Sequence, residues 1–104
     1  MSKSKSKPAR AVLEKMLCGA LTFAQMVRAI RETDGVSQSA LADRLGIGKS
    51  YVSDVENGRK LPTVAKAAEW AEALGYPAEA FVMLALQAQV AEAGLKLRVE
   101  VSAA

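Results

Sequence analysis

The sequence predicts an all-α domain of five short helices, with an extra short helix before them and a C-terminal β-strand after them. Three observations predict it. Apolar residues recur at helical spacing from about residue 9 to residue 93. Gly35, Gly46, Gly58, Gly75 and Gly94 each follow one of these periodic stretches, where a helix C′ position favours the left-handed backbone that glycine reaches without a Cβ penalty. From Leu95 to Val101 the pattern changes to strict apolar–polar alternation, the period of a strand.

The elements follow in order. Residues 1–8 read as a disordered basic arm, since the leader from Ser2 to Pro8 has no apolar residues to bury. Val12, Leu13, Met16 and Leu17 form the stripe of a short helix that Gly19 closes. Thr22 and Gln25 fit a capping box, with Leu21 and Met26 at the two positions of a hydrophobic staple. The helix they open runs to about Thr33 and buries Phe23, Val27 and Ile30. Ser37 caps a helix from Gln38 to Leu45, with Leu41, Ala42 and Leu45 inward. The next spans about Lys49 to Asn57, with Val52 and Val55 inward. Pro62 and Thr63 open a helix whose core face is Val64, Ala67, Ala68, Ala71 and Leu74, with Trp70 beside it. Pro77 suits the first turn of the last helix, which continues to about Ala93. The chain thus divides into an arm (1–8), a helical domain (9–94) and a tail (95–104).

Composition narrows the function classes. With 104 residues, 51% hydrophobic and 24% charged, the chain suits one folded domain rather than a disordered one. No apolar run approaches the roughly 18–20 residues of a membrane span. No h-region and cleavage site follow the basic start, so a cytoplasmic protein is expected. The single cysteine, Cys18, excludes an intrachain disulfide and reads as a buried small hydrophobe, with an intersubunit redox switch as the alternative. The absence of histidine argues against a zinc site and against histidine acid–base chemistry. There is also no phosphate-binding glycine loop and no paired-acid motif, so no catalytic residue, metal or cofactor is expected. Residues 1–60 carry eleven Lys/Arg against six Asp/Glu, whereas residues 61–104 carry three against five. The front of the chain is therefore the part suited to a polyanion.

The segment QSALADRLGIGKSYVSDVEN, residues 38–57, has the layout of two short helices crossing at a steep angle. Such a crossing needs a small residue near the turn, supplied by Ala42, and a positive φ in the turn, supplied by Gly46. Leu41, Leu45, Ile47, Val52 and Val55 supply the shared core. Through VSQSALADRLGI, SYVSDVENGRKLP and WAEALGYPAEAFV, in order and without gaps, residues about 21–84 resemble the Cro/cI-type (XRE) helix-turn-helix family. This is the five-helix, lambda-repressor-like domain of phage repressors and of many bacterial and plasmid regulators.

The resemblance implies a domain whose helix at 49–57 enters the major groove of double-stranded DNA, in a two-fold dimer on a palindromic operator. Carried over position by position, it places Lys49, Ser50, Tyr51, Ser53 and Asp54 at base edges. Gln38, Asn57, Arg59 and Lys60 then grip the backbone. Lys49 can donate to guanine O6 and N7, and Asp54 can accept from cytosine N4. Asp54 is equally readable as a solvated or locally paired acid, and Tyr51 as a contact to a thymine methyl or to a phosphate. Gly48 stands where the family often places a Ser or Thr N-cap. Arg31 and Glu56 match positions that form a buried ion pair in some members. The basic arm has two readings, a DNA contact and a solubilising tail.

The stretch Phe81 to Leu86 is apolar all round, so one side packs on the domain and the other needs a cover. A second copy is the simplest cover. This gives an expected dimer interface of Phe81, Met83, Leu84, Leu86, Leu95, Leu97, Val99 and Val101. In it the two tails pair antiparallel about Val99, with Arg98 of one copy opposite Glu100 of the other; a frayed terminus is the alternative. The implied function is a homodimeric, operator-binding transcriptional regulator, most simply a repressor that occludes a promoter. The competing reading is an antitoxin or interaction module that binds a partner protein, such as a toxin, directly.

Overall fold

Six α-helices follow one another in the computed structural model, which describes residues 9–104. They are α1 (Arg10–Leu17), α2 (Phe23–Asp34), α3 (Gln38–Leu45), α4 (Lys49–Glu56), α5 (Val64–Leu74) and α6 (Ala78–Glu92). The basic arm expected over residues 1–8 lies outside the described residues.

Local chemistry sets the ends of these helices. The Thr22 hydroxyl accepts from the Gln25 amide at 3.1 Å, and the Gln25 side chain accepts from the Thr22 N–H at 3.0 Å, closing the capping box. Ser37 and Thr63 cap α3 and α5 by accepting from the amides of Ala40 (3.0 Å) and Lys66 (3.1 Å). Between α3 and α4, Gly46 sits at φ +71°, and the Ile47 N–H reaches back to the Ala42 carbonyl at 3.0 Å. A Cβ at Gly46 would meet nothing within 4 Å, so the backbone conformation rather than space calls for glycine there.

The core gathers residues from all six helices. Phe23 lies at its centre, edge-on to Phe81 at 6.1 Å and tilted against Trp70 at 6.3 Å. Leu41, Ala42, Val52 and Val55 are buried where α3 and α4 meet. Trp70, expected beside the core face of α5, is part of it, along with Ala67, Ala71 and Leu74. Val64 is exposed and Ala68 half-buried, so the buried stripe is rotated toward Trp70. The Trp70 indole N–H is buried without an acceptor among the described residues, a cost of about 1–3 kcal/mol that the packing of its large ring must outweigh.

At the N-terminus, α1 buries Val12 and Met16, one helical turn apart. Leu17, one position further round, is exposed, and so is Cys18, which caps the helix end. The expectation of a buried cysteine is therefore corrected: Cys18 follows the buried Met16 by two positions, about 200° round the helix, and so faces away from the core.

The C-terminus brings a second correction. Residues 95–104 form no strand. Alternation specifies an extended side-chain pattern, but a strand also needs a ladder of backbone partners. Here the recorded partner is a side chain: the Gln87 carboxamide donates to the Leu97 carbonyl and accepts from the Val99 N–H, each at 2.8 Å. The tail therefore lies beside α6.

This also resolves the all-round apolar character of α6. One side packs chiefly on α5, and also on α1 and α2, burying Ala80, Phe81, Leu84 and Ala85. Phe81 and Leu84 belong to the protein's own core and are removed from the expected dimer surface. Met83 and Leu86 are half-buried, Val99 and Val101 likewise, and Leu95 and Leu97 are exposed. Among the described residues, no helix is long and apolar enough to cross a membrane.

Candidate nucleic-acid interface

The surface of α4 is built by the helix period. Val52, Val55 and Glu56 point into the protein and are buried. Lys49 and Ser50 are exposed in the first turn, and Ser53, one turn on, is half-buried. The helix starts on Gly48, which offers no side-chain cap. These three side chains therefore share one outward face near the start of α4.

The other expected contacts are more constrained. Tyr51 is half-buried, its ring edge-on to Trp70 at 5.9 Å, with Lys60 Nζ 5.6 Å from its ring centre. Its ring thus braces α4 against α5 and carries a loop cation at the same time. Asn57 folds back on its own helix, its Nδ2 donating to the Ser53 carbonyl at 2.9 Å and lying 3.4 Å from the Ser53 hydroxyl. Gln38 donates to Glu56 Oε1 at 3.1 Å, so its amide is engaged within the domain.

Asp54 is a locally paired acid. Its Oδ1 accepts from Arg59 Nε at 3.2 Å, and its Oδ2 lies 3.8 Å from Lys60 Nζ. Its backbone carbonyl also accepts from the amides of Arg59 (2.8 Å) and Lys60 (3.3 Å). Asp54 thus holds both Arg59 and Lys60 of the loop after α4, through its carbonyl and its carboxylate.

Beneath the outward face lies a buried charge cluster. The Glu56 side chain is fully buried, with Arg31 Nε donating to Oε2 at 2.7 Å and Nη2 donating to Oε1 at 3.1 Å. Arg31 Nη1 also donates to the Val36 carbonyl at 3.2 Å. Burial pushes the Glu56 carboxyl up, but hydrogen bonds from Arg31 and Gln38 and the charges of Arg31 and Arg28 outweigh it. The carboxyl is therefore held below its ordinary value. The Arg31 guanidinium is correspondingly raised, chiefly by its hydrogen bond to Glu56.

Arg28 is a member of this cluster that sequence reasoning missed. Its Nε lies 3.5 Å from Glu56 Oε1, and its side chain is half-exposed. Its position three residues before Arg31, on the same helical face, was the available signal. The Gln87 clamp had no comparable signal, whereas local pairing was one of the two readings open for Asp54.

A family model described as "Helix-turn-helix" matches residues 27–81, just over half of the chain. The match takes in α3, α4 and α5 entire, with most of α2 and the start of α6. No curated protein and no solved structure shows a significant match to the chain.

Proposed function

Since the chain belongs to the Cro/cI-type (XRE) helix-turn-helix family of DNA-binding transcription regulators, we propose that it is a repressor that binds a palindromic operator as a homodimer. The observation that carries this reading is the outward face of α4. Lys49 and Ser50 are exposed there with Ser53 half-buried beside them, while the buried Val52, Val55 and Glu56 hold the helix from behind. In the major groove, Lys49 suits guanine O6 and N7, and the two serines suit either donor or acceptor edges. Arg59 and Lys60 supply backbone contacts, and Tyr51 adds its hydroxyl at the edge of the same face. Asp54 we assign to Arg59 and Lys60 rather than to a cytosine edge, because its carboxylate lies against both cations in the DNA-free chain.

Dimerisation is assigned to the apolar surface that remains after α6 has packed: Met83, Leu86, Leu95 and Leu97, with Val99 and Val101 at its margin. Exposed leucines in a small domain favour a covering partner, and an isologous contact needs only a second copy. Direct binding of a different protein, as an antitoxin does, draws on the same leucines.

Selection of bound DNA from a random pool tests the reading. A palindrome with half-sites about ten base pairs apart, centre to centre, is expected. Failure to enrich any sequence at physiological salt, with a stable complex of this chain and another protein, overturns it in favour of the second reading.

A further inference from the structure

An acid on the outer side of a recognition helix is out of place electrostatically, because it repels the phosphates that the neighbouring cations attract. Asp54 is such an acid, yet its carboxylate is not idle. Both cations of the following loop converge on it, Arg59 Nε at 3.2 Å and Lys60 Nζ at 3.8 Å. We propose that Asp54 is a positioning residue that withholds Arg59 and Lys60 from loosely docked DNA, releasing them only when phosphates arrive close enough to take its place. This rests on the DNA-binding reading and adds to it a built-in restraint on sequence-independent binding.

Three features of the geometry support the restraint. A phosphate oxygen offers the same acceptor chemistry as the carboxylate, so the two compete for the same N–H groups. The ion pairs are also breakable. Arg59 and Lys60 are each more than half exposed, and exposed pairs of this kind are individually weak. Finally, the loop does not depend on the carboxylate for its shape, since the Asp54 backbone carbonyl takes the amides of Arg59 and Lys60 at 2.8 and 3.3 Å. Neutralising the side chain should therefore free the cations without unmaking the loop.

In the same position Lys60 Nζ also lies over the Tyr51 ring, 5.6 Å from its centre. Tyr51 in turn packs on Trp70. The withheld position of this cation is thus supported by a platform set in the core, beyond what a chance meeting of surface charges would provide.

The test compares the full-length chain with Asp54→Asn, binding a short duplex of arbitrary sequence across a range of salt concentrations. Asp54→Asn should bind this duplex more tightly, with a slope of log affinity against log salt steeper by about 1–2, because each further phosphate neutralised adds about 0.9. In an Arg59→Gln/Lys60→Gln background the same substitution should leave the slope unchanged. Asp54→Ser should repeat the result, and thermal unfolding of each variant checks that the fold is intact. Equal slopes for the parent chain and Asp54→Asn would overturn the proposal while leaving DNA binding in place. Weaker binding and a shallower slope would also overturn it, by showing that the carboxylate presents the cations instead of withholding them. If the parent chain binds no duplex even at low salt, the DNA-binding reading falls and takes this proposal with it.

Discussion

Arg31 and Glu56 join α2 to the last turn of α4 through two hydrogen bonds, Nε to Oε2 at 2.7 Å and Nη2 to Oε1 at 3.1 Å. The carboxylate is fully buried, so this contact fixes the inner side of the helix whose outer side is available to DNA. Replacing Arg31 by Met leaves a buried charge with only the Gln38 amide and the longer Arg28 contact. A loss of about 3–5 kcal/mol is expected from urea unfolding, since breaking one partner of a buried pair leaves the other uncompensated. Adding Glu56→Leu to Arg31→Met should recover much of that loss. A double variant as unstable as the sum of its parts contradicts the assignment.

The same pair sets an acid limit. The Glu56 carboxyl is held below its ordinary value in the folded state. The stability it contributes is therefore complete above its unfolded value of about 4.3 and is lost as pH falls through the lower folded value. The stability difference between the parent chain and Glu56→Gln should be large and constant from neutral pH to about pH 5, then shrink below about pH 4.3. Chemical denaturation at a series of pH values measures it. A gap that does not close in acid would mean that Glu56 does not titrate with unfolding.

Gly48 offers a stabilising change at the start of α4. Its backbone, at φ −83° and ψ 154°, is ordinary for any residue, and an added Cβ meets nothing within 4 Å. Gly48→Ser should supply the missing N-cap oxygen and reduce the freedom of the unfolded chain, together about 0.5–1 kcal/mol. The midpoint of thermal unfolding should rise by a few degrees.

Lys49 and Arg59 should separate by what they do to specificity. Lys49→Ala is expected to relax selection at one base-pair position in each half-site, by about 1–3 kcal/mol. Arg59→Ala should weaken binding to all operator variants alike and flatten its salt dependence. Binding measured on a panel of operator variants distinguishes them, and strong sequence dependence for Arg59→Ala would reassign that residue.

Gln87 should prove to be what keeps the tail on α6. Gln87→Ala removes both hydrogen bonds to the tail backbone, at Leu97 and at Val99. Hydrogen exchange at the Val99 amide should accelerate about tenfold or more, with the amides of α2 and α5 unchanged. Undiminished protection at Val99 would point to another restraint.

The features legible in the sequence were those that neighbouring residues decide. Thr22 with Gln25, Ser37 and Gly46 mark helix ends through hydrogen bonds and a backbone conformation spanning only a few positions. The inward set of Val52 and Val55 follows from the helix period alone. The pairing of Arg31 with Glu56 was legible through resemblance, because it crosses 25 positions of chain.

What tertiary structure decided depends on which surfaces meet, and periodicity carries no such information. A helix apolar on every side does not say which side is core, so Phe81 and Leu84 became interior only once α5, α1 and α2 had packed against α6. Alternation in the tail specified no backbone partner, and the fold brought the Gln87 side chain to it. Asp54 could be assigned to DNA or to its neighbours until the loop returned, placing Arg59 and Lys60 against its carboxylate. Short-range hydrogen bonding and spacing wrote the helices into the sequence; the long-range meeting of their surfaces determined what each exposed charge and each apolar face was free to do.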